Sequence, residues 1–568
     1  MIGHGRVTVA GRLLPGLVTL RGYERSWLRG DTLAGLTVAA YLVPQVMAYA
    51  GLAGLPPVVG LWAILVPLAG YAILGSSRLL SVGPESTTAL MTAAAVAPLA
   101  AGDPQRFAVL AAALAVVVGL LCLVAYAARL GFFADLLSQP ILIGYLAGVA
   151  VTMIVGQLGK LTGMPVDGDS IPAELASFAR GLARMEPATA LFAAGALTLL
   201  FLGQWRFPRL PTPLLVVALA TVTVVAFDLQ RRGIDVVGEV PRGLPGPALP
   251  DLDDLRQLLL PAVGVLVVGY TDTVLTARAF AARNGDPVDA NQELLAMGAA
   301  NLGAGLLRGF PVSSSGSRTA LALAAGGRTQ VYSLITLAAV VAVLLFAGPL
   351  LAHFPVPALG AIVVYAATRL IDVPGFRRLA AFRRSELMLA VAALAGVLVF
   401  DILYGVLLAV GLSVAEMLHR VARPHDAVQG FVPGLAGMHD VDDYPAATTV
   451  PGLLVYRYDS PLFFANAEDF RRRALAAVAE QTEPVHWFVL NTEANVEVDS
   501  TGLGALDDLR AELTGRGIVF ALARAKQDLR TALDAYGLST SIGPERIYPT
   551  LPTAVEAYQE WARTRREE

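Results

Sequence analysis

The chain has 568 residues, 55% of them hydrophobic and only 15% charged, with a formal net charge of −3. A mean hydropathy of +0.62 excludes an ordinary soluble globular protein and predicts a polytopic membrane protein. The near-neutral charge argues against a nucleic-acid partner. The single cysteine, Cys122, excludes an internal disulfide and a cysteine-based metal site.

In chain order, MIGHGRVTVAGRLLPGL is basic and lacks a compact apolar stretch with a cleavage site. Residues 1–30 are therefore expected to be a cytoplasmic N-terminal segment rather than a signal peptide. A membrane domain is expected over 31–425 and a separate C-terminal domain over 440–565, because the composition changes near residue 425. Up to fourteen apolar segments precede that change, at roughly 32–52, 58–75, 86–101, 107–128, 139–160, 187–204, 211–229, 258–282, 291–307, 317–326, 329–352, 356–371, 385–400 and 401–421. Several fall short of the roughly 20 residues that a helix needs to span the hydrocarbon core. The third and tenth are the shortest.

Arg21, Arg25 and Arg29 precede the first segment, FRRLAAFRR separates the twelfth from the thirteenth, and Arg420 and Arg423 follow the last. An even number of spans puts all three groups on one side, so both termini are expected in the cytoplasm of a cell whose cytoplasmic membrane holds the protein. The six histidines (His4, His353, His419, His425, His439 and His486) show no ligand spacing and are read as surface or helix-end residues.

ESTTALMTAAA, starting at Glu85, resembles SGSRTALALAA, starting at Ser315. Thr319 stands 231 residues after Thr88. Two short, polar-headed segments at matching places in two halves point to a transporter's central site. Seven segments per half is an odd number, so the second half must run inverted. A helix that starts in mid-membrane carries unpaired N–H groups and the positive end of its dipole. Two such starts facing each other suit an anion.

In the eighth segment, YTDTVLTARAF places Asp272 inside an apolar run, with Thr276 four residues on and on the same helical face. A carboxylate and a hydroxyl so placed suit Na⁺, and the carboxylate alone suits a proton. A permanent salt bridge between Asp272 and Arg318 is the structural alternative. After residue 440 the pattern runs strand, helix, strand, helix, strand, helix: LLVYRYD, FRRRALAAVAEQ, VHWFVLNT, TGLGALDDLRAEL, IVFALAR and QDLRTALDAYG. This predicts a small sheet backed by helices. DSTG at 499–502 puts Ser500 and Thr501 at a helix start, where capping by Asp499 or Ser500 competes with a phosphate role.

The membrane part resembles the SulP family of sulfate permeases and related anion transporters. The resemblance rests on DTLAGLTVAAYLVPQVMAYAGLAGLPPVVGLW (31–62), SVGPESTTALM (81–91), NQELLAMGAANLGAG (291–305), FPVSSSGSRTAL (310–321) and GGRTQ (326–330). YRYDSPLFFANAEDF (456–470) and VEVDSTGLGAL (496–506) resemble a STAS domain. The resemblance implies an α-helical polytopic membrane domain of fourteen transmembrane helices in two inverted seven-helix repeats, divided into core and gate domains, with a small α/β STAS domain. A homodimer in the lipid bilayer is implied as well.

By position, Gln45, Ser86, Thr87, Ser315, Gly316, Ser317 and Arg318 are expected to line the substrate site, and Asp272 with Thr276 the coupling-ion site. For Gln45 a helix–helix hydrogen bond is the alternative. For Arg318 the alternative is neutralisation of a nearby carboxylate. Thr501 matches the residue phosphorylated in separate soluble STAS proteins. Glu85 departs from the family, which commonly has a small or apolar residue after the Gly-Pro of the third helix.

The expected function is secondary transport of a small oxyanion, sulfate first, by H⁺ or Na⁺ symport with an elevator-like movement. No cofactor, enzymatic step or resident metal is expected beyond a Na⁺ at Asp272 and Thr276. No GxxxxGK[ST] phosphate loop occurs, which argues against an ATP-driven pump. Bicarbonate or a C4-dicarboxylate is the alternative cargo. A nucleobase permease and an anion-sensing membrane scaffold are more distant readings.

Overall fold

The computed structural model describes residues 14–567 apart from 136–137, 167, 169, 208–211, 240, 242, 250–254 and 282–285. Residues 1–13 of the expected N-terminal segment therefore lie outside the described residues. The chain divides into two compact units, one ending at Ser413 and one starting at Val414.

The first unit is helical. Its principal helices are α1 (Leu28–Leu52), α2 (Val58–Leu74), α3 (Ser86–Ala100), α4 (Pro104–Ala127), α5 (Gln139–Val155), α6 (Pro187–Arg206) and α7 (Thr212–Ala226). The second set comprises α8 (Leu255–Ala281), α9 (Ala290–Leu306), α10 (Gly316–Ala324), α11 (Val331–Phe346) and α12 (Val356–Leu370), followed by helical backbone over Arg384–Ala422. Local chemistry sets the starts. Asp103 accepts from the Gln105 amide at 2.8 Å ahead of Pro104, and Asp289 accepts from Asn291 and Gln292 ahead of α9. Among the described residues, six helices are long and apolar enough to cross a bilayer alone, and α2, α3, α7 and α11 are shorter apolar helices.

The stretch Arg384–Ala422 is 39 residues long but not straight. A Cβ on Gly405 would stand 2.7 Å from the Cα of Val397, and one on Gly396 would stand 2.8 Å from Leu408 Cδ2. Eight residues of straight helix would separate such positions by about 12 Å. The backbone therefore reverses between Val397 and Gly405, making two packed arms where the sequence predicts its thirteenth and fourteenth segments. Glycine permits this packing elsewhere too. A Cβ on Gly144 of α5 would lie 1.8 Å from the Ala390 carbonyl oxygen, and one on Gly60 of α2 would lie 2.0 Å from that of Val46.

Two carboxylates tie the helices together away from the crossing described below. Asp31, fully buried in the first turn of α1, accepts from the Arg328 and Thr329 amides at 2.7 and 3.1 Å, from Thr329 Oγ1 at 2.6 Å and from the Tyr23 hydroxyl at 3.1 Å. Glu293 on α9 accepts from Tyr71 and from both the amide and hydroxyl of Ser76. Each thereby satisfies the turn ahead of or behind a short helix.

The second unit holds a six-stranded sheet in the order β2-β1-β3-β4-β5-β6, formed by β1 (Asp426–Phe431), β2 (Met438–Asp440), β3 (Leu453–Tyr458), β4 (Trp487–Asn491), β5 (Val519–Ala523) and β6 (Ile547–Tyr548). The strands β3 to β6 run parallel, and β1 is antiparallel to both its neighbours. Leu454, Tyr456 and Tyr458 pack with Phe470 and Leu506 on one face. Leu453 and Val455 pack with Val555 and Tyr558 of the last helix on the other. Burial on both faces explains the apolar run from Leu453 to Tyr456 in β3. The sheet starts before residue 440, where the sequence reading places the domain. The short strands DAVQGF and MHD carry too little apolar alternation to be read, and they join through backbone pairing and an Arg473–Asp426 ion pair at 2.5 Å.

Replacing Asp31 with alanine strands two buried amides and a buried threonine hydroxyl. Asp31→Ala is expected to lose at least about 2 kcal/mol of stability, read as a lower melting midpoint of the purified protein in detergent.

Candidate functional site

A helix that begins inside an apolar unit leaves backbone groups that only protein can satisfy. Ahead of α3 and α10 the chain solves this by pairing the two halves. Val82 pairs with Ser314 and Gly83 with Ser313, antiparallel. Ser313 follows Val82 by the same 231 residues that relate the two sequence repeats, and Ser314 follows Gly83 likewise. Each residue therefore pairs with the counterpart of its neighbour, which is what a local two-fold axis demands. The register makes the two halves inverted at this point. The Ser315 amide donates to Ser81 O at 2.8 Å, and the Ser81 amide donates to Thr319 Oγ1 at 3.0 Å.

Arg318 is fully buried one turn into α10. Its Nε donates to Ser81 Oγ at 3.1 Å, and its Nη1 donates to Pro84 O at 2.9 Å and to Gln45 Oε1 at 3.3 Å. Its Nη2 has no partner among the described residues. A Cβ on Gly83 would stand 2.2 Å from Ile64 Cδ1 and 3.4 Å from that nitrogen, so the glycine makes room for Ile64 beside the guanidinium. A buried guanidinium with a free donor pair is costly unless an acceptor reaches it.

The structure brings most of the expected residues together and changes the roles of some. Gln45 is 2% exposed and spends its amide inside the protein, donating to the Tyr49 hydroxyl at 3.1 Å and to the Tyr41 hydroxyl at 3.4 Å. Its helix–helix bond is thus a bond to Arg318 as well. Ser86 and Thr87 are buried in the first turn of α3. The Ser315 and Ser317 hydroxyls are 3.2 Å apart, with Ser315 buried and Ser317 exposed beside Tyr41. Gly316 is half-buried and faces the Thr276 methyl.

Asp272 accepts from Ser314 Oγ at 2.9 Å. It makes no ion pair with Arg318, so the salt-bridge alternative is not the arrangement found. Asp272 and Thr276 both keep accessible surface. Together with Ser314 and the start of α10 they form an oxygen-rich corner.

Ser81 and Ser314, which hold Arg318 and Asp272, were not singled out from the sequence. The signal lay in the hydroxyl-rich runs SVGPES and SSSGS, but only the crossing selects which hydroxyl does the work. In the second unit, Asp499 caps its helix through Oδ1 to the Gly502 amide at 2.7 Å and accepts from the Phe464 amide through Oδ2. Ser500 and Thr501 lie exposed outside that cap.

A helical unit whose two inverted halves meet through broken helices, joined in sequence to a separate α/β domain, defines an inverted-repeat membrane protein with an appended domain. The chain belongs to the sulfate permease family, whose pattern matches residues 28–393, and a STAS domain matches residues 444–554. It is 61% identical over 548 residues to a probable sulfate transporter of Mycobacterium tuberculosis, covering 96% of this chain and 98% of that one. To the chloroplastic sulfate transporter 4.1 of Arabidopsis thaliana it is 31% identical over 566 residues, covering 96% and 82%. The fold matches the inward-facing structure of the murine solute carrier 26 family member A9 anion transporter with a TM-score of 0.90 at 23% identity, over 99% of this chain and 96% of that one. The transmembrane domain of the cyanobacterial bicarbonate transporter BicA matches 67% of this chain and 98% of its own length, with a TM-score of 0.62 at 22% identity.

Arg318→Ala removes the donor for Ser81 Oγ, Gln45 Oε1 and Pro84 O together with the free Nη2. The variant is expected to melt lower than the unmodified protein and to bind sulfate, taken as the probe anion, more than about tenfold more weakly. Thermal melting and isothermal titration check the two effects separately.

Proposed function

We propose that this protein is a secondary transporter for a small inorganic oxyanion, sulfate first, driven by cation symport. The observation that carries this reading is the free Nη2 of a fully buried Arg318 between two facing helix starts. The close similarity to a probable sulfate transporter over nearly the whole chain favours sulfate as the cargo. Recognition and translocation need no covalent step. The anion takes up the Nη2 donors, the hydroxyls of Ser315 and Ser317, and the first amides of α10, whose Ser315 cap makes no side-chain bond to them.

Asp272 supplies the coupling. It stands in the middle of α8 with Ser314 as its hydrogen-bond partner and Thr276 one turn on, so a proton or a Na⁺ can neutralise it as the anion crosses. Moving both charges together lowers the cost of carrying either through an apolar layer. The crossing strands bind α3 and α10 into one piece with the site between them, which supports an elevator-like displacement of that piece against the remaining helices. An even number of spans supports termini on the same, cytoplasmic side.

Reconstituted protein should concentrate labelled sulfate in proteoliposomes under an inward H⁺ or Na⁺ gradient, and excess bicarbonate or succinate should compete poorly. Asp272→Asn keeps the side-chain shape and removes the ionisable group. It should retain sulfate binding within about threefold while losing uptake against a gradient by at least about tenfold. Undiminished concentrative uptake by the Asn variant, with the same ion dependence, removes Asp272 from coupling.

A further inference from the structure

The two halves of the site are not equivalent. By the 231-residue relation, Gly316 in the second half stands where Glu85 stands in the first. Gly316 has no side chain, and Ser315 caps none of the amides of α10. The start of α10 is therefore open. Glu85 is the N-cap of α3, in extended backbone, and its Oε2 accepts from the Ser86 amide at 2.5 Å. The start of α3 is thus already held by an anion belonging to the chain.

The carboxylate is half-buried and makes no ion pair with Arg318 among the described residues, so Nη2 keeps its donor hydrogens although the two charges attract each other. The charged and titratable groups around it are Arg318 on α10, Asp272 on α8, and Tyr41 and Tyr49 on α1.

Resting on the oxyanion reading above, we propose that Glu85 is a tethered counter-anion that occupies the α3 half of the site when it is empty, and that the substrate enters together with a proton that neutralises Glu85. With Glu85 and Asp272 ionised beside one arginine, the site already carries an excess negative charge. A divalent oxyanion would raise it to three, and like charges at such distances are strongly repulsive. A proton on Glu85 removes one of these charges and weakens its grip on the Ser86 amide, which then turns to the substrate. The first-turn hydroxyls of Ser86 and Thr87 come into reach by the same step. Glu85 therefore acts as a substrate-site residue that links affinity to pH independently of the cation at Asp272.

The test is sulfate titration of the purified full-length protein, from about pH 5.5 to about pH 8 at fixed Na⁺, comparing the unmodified chain with Glu85→Gln. By linkage, the slope of log Kd against pH counts the protons taken up with the anion. The slope should fall by about one in the variant. Binding should be at least about tenfold tighter than in the unmodified chain near the top of the range and within about twofold near the bottom. An unchanged slope overturns the proposal and leaves Glu85 as a helix cap. If Glu85→Gln does not fold, Glu85→Ser, which supplies a neutral cap, is read the same way. If the unmodified protein binds selenate or bicarbonate but not sulfate, the sulfate assignment fails alone and the slope is read with the anion that binds. If it binds none of these anions, the functional reading and this proposal fall together.

Discussion

Two residues of backbone pairing, Val82–Gly83 against Ser313–Ser314, carry the constraint on which the helical unit depends. Backbone that leaves the helical form in an apolar interior must find partners for its N–H and C=O groups, and water is not available there. Each half supplies the partners the other lacks. Because the pairing obeys a two-fold relation, the helices that follow must start opposite each other, with their positive ends converging. The converging dipoles, the buried guanidinium and the hydroxyl run are consequences of one crossing rather than separate inventions.

The carboxylates buried in this unit separate into two kinds by how far they are buried. Asp31 accepts from four donors and Glu293 from three, and both hold turns at helix ends. Asp272 accepts from Ser314 alone, Glu85 is met by the Ser86 amide and by the Ser86 and Tyr49 hydroxyls, and both carboxylates keep accessible surface. A carboxylate buried among donors is fixed in charge and place, whereas one that keeps accessible surface can exchange a donor for a cation or a proton. The two kinds look alike in sequence, since each is an acidic residue beside an apolar run. What distinguishes scaffold from site is exposure: Asp31 and Glu293 are fully buried, whereas Asp272 and Glu85 keep accessible surface.

The composition alone fixes a membrane protein, because no soluble fold hides so much apolar surface. The segment periodicity places the helices within a few residues of where they lie, and the alternation after residue 440 yields the helices and central strands of the second unit. The repeat of Thr-Ala-Leu in two polar-headed segments, with an odd number of segments in each half, is enough to infer inversion and an anion-binding centre. These are local properties, written in residue type and spacing.

The tertiary structure decided what depends on groups far apart in the chain. It chose Ser81 and Ser314 among several hydroxyls, gave Gln45 to Arg318, left Nη2 of that arginine free and kept Asp272 out of an ion pair with it. It also added β1, β2 and β6 to the second sheet, strands too short to announce themselves by pattern. Periodicity records which face of an element is buried, and a hydrogen bond between residues more than 230 positions apart leaves no trace in it. The sequence therefore determined the elements and the kind of site, and the crossing of two strands determined which atoms the site contains.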